Sequence, residues 1–246
     1  MPSPAVAPAE PRAISWQKTL ALFVLAALIF WQWDSLWFRP LRVLVVLFHE
    51  LGHALAAVLT GGTVEEIMVG WNEGGHCVTR GGNRFLILSS GYLGSLAIGA
   101  TILLLASRTT ASIVLARCIG AALVVIAFLY MLRLPDWESL VFTVGAGAVL
   151  YGVTYLPVIV PRLFLMMIGL TSCLYAVADI KDDVLVRDHP QSDAAMLEEL
   201  THVPARLWGV IWIAISVVVG VAALRASLVA GRRTEVDSSP TIEVAR

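Results

Sequence analysis

The chain has 246 residues, 58% of them hydrophobic and 14% charged, with a formal net charge of −1. Soluble domains carry roughly 45–50% apolar and about 25% charged residues, so this composition excludes an ordinary soluble domain and indicates a polytopic membrane protein. The net charge gives no hint of nucleic acid, the apolar composition makes the lipid bilayer the expected partner, and Cys77, Cys118 and Cys173 lack paired or metal-type spacing and read as free thiols.

Residues 1–13 are rich in Pro and Ala and read as a disordered tail. A first apolar span runs from about Ile14 to Trp33. Trp31, Trp33 and Trp37 stand where a small-residue cleavage site would lie, which favours an uncleaved helix. Pro40 suits the start of the next helix.

That second span, LRVLVVLFHELGHALAAVLT from Leu41 to Thr60, is long enough to cross a bilayer. Its middle holds three ionisable side chains, His49, Glu50 and His53. Each charged group at that depth costs roughly 2.5–3.5 kcal/mol on insertion scales, so chance is a poor explanation. The two histidines are four residues apart and share a helix face, from which both imidazoles can reach one zinc ion. Glu50 is placed to act as general base on a zinc-bound water. Gly52 allows a neighbouring element to approach closely.

Gly61 and Gly62 end the helix. Between Thr63 and Gly82, TVEEIMVGW and HCVTR flank the turn signal NEGG, which predicts a β-hairpin. Further spans are expected at about Phe85–Ala106, Ser112–Met131 and Trp137–Tyr155. In the first of these, Gly91, Gly94, Ser95, Gly99 and Ala100 form a small-residue packing face. Pro157 and Pro161 interrupt the next apolar stretch, so another span is expected from about Arg162 toward Asp179.

Asp179, Asp182, Asp183 and Asp188 cluster where that span ends. The helices bearing His53 and Asp179 run in the same direction, and both groups lie about two turns from their helix ends. Zinc held by two histidines wants a third protein ligand. Asp179 is the first candidate and Asp183 the second, while Asp182 and Asp188 read as solvated. Ser192 or Asp193 can cap a short helix through Leu200. A last span from about Leu207 to Leu228 precedes a tail from 230 to 246 that reads as disordered. His76, His189 and His202 lie in polar or hairpin segments and read as ordinary side chains.

Residues 14–229 thus form a single transmembrane domain, all-α, with about seven transmembrane helices and a small β-hairpin after the second. A slight excess of Lys and Arg on one set of loops predicts a cytoplasmic N-terminus.

In FHELGHALAAVLTGG, VTRGG, SSGYLGS, YAVADIKDDV and SDAAMLEEL the chain resembles the site-2 protease family, in particular its small branch without a PDZ domain. The resemblance implies an intramembrane zinc metalloprotease with His49, His53 and most plausibly Asp179 as ligands and Glu50 as base. It implies a membrane-protein substrate and a multi-pass location, expected to be a bacterial plasma membrane. Founding members carry Asp-Gly at the metal aspartate, whereas Ile180 follows Asp179 here. The competing functions are a non-catalytic metal-binding membrane protein and an ion transporter. A peptide must be extended to be cut, so the hairpin is also expected to offer a strand edge to substrate.

Overall fold

The computed structural model describes residues 16–107, 109–132, 137–181, 184 and 192–230. The tail expected at 1–13, residues 231–246 of the C-terminal tail, and Asp182, Asp183, Asp188 and His189 lie outside the described residues. The described chain runs α1 (Trp16–Trp31), α2 (Arg39–Leu59), β1 (Thr63–Val69), β2 (Gly75–Arg80), α3 (Arg84–Ala106), α4 (Thr109–Tyr130) and α5 (Trp137–Gly152). A short 3₁₀ turn (Val153–Tyr155) leads to α6 (Ile159–Ile180), α7 (Asp193–Thr201) and α8 (Ala205–Ala230). The fold is all-α with one small hairpin, as the sequence implies.

Among the described residues, six helices are long and apolar enough to cross a membrane: α2, α3, α4, α5 with its 3₁₀ extension, α6 and α8. The seventh expected span corresponds to α1, whose described part has 16 residues. At 1.5 Å per residue that is about 24 Å, short of the roughly 30 Å hydrocarbon core. After Trp31 the chain leaves the helix through turns in which Ser35 N–H donates to the Gln32 carbonyl and Phe38 N–H to that of Ser35. Trp33 packs its ring 5.8 Å from that of Tyr175 on α6, anchoring this bend. In α6, Pro161 falls within the first turn, where a missing N–H costs nothing, so the helix begins at Ile159 rather than after the proline.

The second helix is the axis of the fold. Every residue from Leu41 to Phe48 is buried, which is why it lacks a polar stripe through its first half. It packs on α3, α6 and both strands. Glycine sets the α2–α3 distance: a Cβ on Gly94 would lie 2.7 Å from the Cα of Gly52, and one on Gly52 would collide with the Ser90 carbonyl. The two backbones therefore touch, in the small-residue manner of membrane helices. Ser172 on α6 donates to the Ser95 carbonyl at 2.8 Å and packs against Gly99, closing the α3–α6 contact.

The hairpin folds back along α2. Its strands pair antiparallel, from Thr63 opposite Arg80 to Val69 opposite Gly75, with a bulge between Val64 and Glu66. Ile67 and Val69 are buried against the helices, fixing which face turns inward.

Candidate metal centre

One turn of α2 separates His49 from His53, and their rings stand 4.8 Å apart, edge to face. His53 Nδ1 lies 2.7 Å from the Ile87 carbonyl of α3. A carbonyl can only accept, so Nδ1 carries the proton and Nε2 presents its lone pair to the site. Metal-ligating histidines are commonly oriented by such a bond. His49 packs edge-on to Tyr92, with ring centroids 4.6 Å apart, and Tyr92 leans on Trp212 of α8. These rings form an apolar wall behind the imidazoles.

The third member comes from α7. Asp193 Oδ2 lies 3.1 Å from His49 Nε2 and 3.3 Å from His53 Nε2. Ser192 caps this helix, its hydroxyl accepting from Ala195 N–H at 3.2 Å, which leaves the Asp193 carboxylate free to point inward. Ala194 and Leu197, both fully buried against a cluster that includes Leu88, Tyr92 and Trp212, dock α7 in place. Room for the carboxylate comes from Gly91: a Cβ there would collide with both Asp193 Oδ2 and His49 Nε2.

These three residues are grouped so that one donor atom from each lies within 4.8 Å of the others. The donor set fits zinc on two further grounds. Tetrahedral zinc with bonds near 2.0–2.1 Å places neighbouring donors about 3.3 Å apart, close to the two distances seen. Asp193 Oδ2 is also buried without a hydrogen-bond partner. It faces the unprotonated Nε2 of His53, an arrangement of lone pair against lone pair that a cation between them would relieve. Burial alone would raise the Asp193 carboxyl, but the His53 and His49 imidazoles, when both ring nitrogens are protonated, hold it below the usual carboxylate range. It is therefore in the anionic form that binds metal.

Asp179, expected from sequence as the third ligand, is not in this group. It lines the same cavity, of about 1250 Å³, and is near enough for its charge to act on His49. The end of α6 does not bring this carboxylate into the group of donor atoms around the two imidazoles. Asp193 joins that group, although as sequence it reads only as a helix cap. His76 bonds Glu66 at 3.0 Å instead of joining the cluster, and His202 occupies the left-handed C-cap of α7 at φ 62°.

Glu50 is adjacent to the ligands on α2, 5% exposed, and lines the same cavity. Over it lies Gly75 of β2, where a Cβ would be 2.6 Å from Glu50 Oε1.

The sequence model of the family described as Peptidase M50B-like matches residues 21–223. The chain belongs to that family. This is the site-2 protease family, so the M50B-like chain is a multi-pass membrane protein of a peptidase family, and its His–His–Asp cluster is compatible with a metal. No curated protein and no solved structure matches it significantly.

Proposed function

We propose that this M50B-like chain is an intramembrane zinc metalloprotease that hydrolyses a peptide bond in or near a transmembrane segment of a protein substrate. Zinc would be held by Nε2 of His49, Nε2 of His53 and Oδ2 of Asp193, with Glu50 as general base. The observation that carries this reading is the convergence of two histidines, an orphaned carboxylate oxygen and an adjacent buried glutamate on one cavity.

Zinc, when bound, supplies a Lewis acid that acidifies water and polarises a carbonyl. The chain supplies the rest. Glu50 takes the proton from the attacking water and returns it to the leaving amine. Ile87 fixes the His53 tautomer through its carbonyl, and the wall of Tyr92 and Trp212 keeps the far side of the imidazoles dry. A structural metal site would have no use for Glu50 at this position.

The substrate must be extended, since a helix hides its carbonyls in i to i−4 bonds. The hairpin has one edge to give. At Val69, the outer edge of β1 is engaged by Ser139 of α5, which accepts from Val69 N–H at 2.9 Å and donates to its carbonyl at 2.7 Å. Gly75, His76, Cys77 and Thr79 of β2 line the cavity. The pairing edge is therefore β2, and an extended substrate laid along it by β-augmentation would pass over Glu50.

The test is metal analysis of the purified protein beside its Glu50→Gln form, with cleavage of co-expressed single-span membrane proteins as the readout. Zinc in both and cleavage only in the parent is the expected result. Cleavage by Glu50→Gln at the parental rate would contradict it.

A further inference from the structure

The tip of the hairpin is tied to the beginning of α2 by a pair that the metal centre does not use. Arg42 sends two parallel bonds to Glu73, Nε to Oε2 at 2.8 Å and Nη2 to Oε1 at 2.7 Å. Arg42 is 7% exposed, so this fork is a charge-assisted bidentate contact largely out of water, unlike a surface ion pair. Arg39 lies 3.7 Å from the same carboxylate. Glu73 itself sits at φ 65°, a left-handed conformation uncommon for a non-glycine residue, where its N–H closes the turn onto the Gly70 carbonyl.

Two residues after Glu73 comes Gly75, whose backbone rests on Val46 and Glu50: a Cβ there would be 2.9 Å from Val46 Cγ1 and 2.6 Å from Glu50 Oε1. Arg42, Val46 and Glu50 follow one another along one face of α2, so the helix acts as a ruler between the pair and the glutamate. At its other end the hairpin is joined through glycines with positive φ, Gly61 at 85°, Gly81 at 72° and Gly82 at 77°. Such joints do little to hold a strand still. Ser139 secures β1, Trp71 rests its ring 5.6 Å from that of Phe142 on α5, and the Arg42–Glu73 fork ties the last turn residues before β2 to α2.

We propose that Arg42 and Glu73 are positioning residues, which hold the β2 edge over Glu50 so that an extended peptide pairs in register with the metal centre. The proposal rests on the peptidase reading above. It assigns the pair to substrate alignment and not to metal binding.

Cys77 on β2 is a built-in reporter. Burial pushes its thiol up to about 12, with the Glu50 charge adding to the effect. Release of the hairpin would return it toward an ordinary thiol and raise its reactivity. The experiment uses the full chain in detergent with Cys118→Ser and Cys173→Ser, a hydrophilic maleimide as labelling probe, and fluorescein-labelled unfolded casein as the extended substrate. Glu73→Ala should speed Cys77 labelling by about tenfold or more. It should raise apparent KM by about fivefold, with kcat within about twofold and zinc unchanged. Glu73→Gln and Arg42→Lys, each able to keep one of the two bonds, should fall between parent and Glu73→Ala in both readouts, and they serve if Glu73→Ala does not fold. Labelling at the parental rate in these variants overturns the proposal, as does faster labelling with KM unmoved. Faster labelling in a protein whose parent cleaves neither casein nor a co-expressed single-span membrane protein would instead strike the peptidase reading, and the positioning role with it.

Discussion

Asp193, on a nine-residue helix outside the candidate spans, holds its Oδ2 3.1 Å from Nε2 of His49 in the middle of the second helix. The candidate metal centre is thus assembled from a buried, apolar candidate span and a short helix that docks on it. Zinc affinity should accordingly depend on the seating of α7 as well as on the ligands.

The ligand set is tested by zinc stoichiometry of purified variants. Asp193→Ala should lose bound zinc, as His49→Ala and His53→Ala should, because each leaves fewer than three protein donors. Asp179→Ala should retain it. Loss of zinc from Asp179→Ala with retention in Asp193→Ala would return the third ligand to α6.

Gly91→Ala places a methyl where Asp193 Oδ2 and His49 Nε2 now meet. The expected outcome is loss of zinc from a protein that still folds. Gly94→Ala, which presses on the Gly52 backbone, should lower stability by about 1–3 kcal/mol through overpacking. Thermal unfolding in detergent, read beside metal content, separates the two. Equal zinc content in Gly91→Ala and the parent would contradict the placement of α3 against the site.

Much of this was legible in the sequence, for physical reasons that differ by element. His49, Glu50 and His53 stand out because insertion penalises each of them, so an apolar run that retains all three advertises a site. The hairpin is visible in the alternation of TVEEIMV and the turn residues NEGG. Asp193 is invisible for the opposite reason: Ser192-Asp193 is an ordinary helix start, and its role appears only once Ser192 is seen to cap alone. Asp179 shows the limit of reading position along a helix, since a comparable distance from a helix end does not say which donor group a carboxylate joins. Gly91 reads as packing, and nothing in its neighbours shows that the space it leaves belongs to a carboxylate and an imidazole.

Acidification should release the metal. Protons compete for the two imidazole Nε2 atoms, so zinc is lost as pH falls from about 7 toward 5, with up to about two protons taken up per ion. Asp193 is held below the usual carboxylate range, so it stays ionised through this window and adds no third proton. Dialysis against buffered zinc at stepped pH measures the slope. A three-proton dependence would show that Asp193 titrates with the histidines and is not held low.

Ser139→Ala removes the hydroxyl that satisfies both the N–H and the carbonyl of Val69. Leaving these buried groups unpaired should cost about 1–3 kcal/mol. Proline at Cys77 or Val78, whose N–H groups point to opposite edges of β2, should cut cleavage at one position while zinc content holds. Full cleavage with proline at both would remove β2 as the pairing edge.

Glu50 is proposed to perform chemistry at a centre made by His49, His53 and Asp193. The most direct measurement is paired zinc content and cleavage in the parent, Glu50→Gln and Asp193→Ala, purified side by side. About one zinc per chain is expected in the parent and in Glu50→Gln, little in Asp193→Ala, and cleavage in the parent alone. Cleavage that survives in Asp193→Ala, or in Glu50→Gln, would contradict that role.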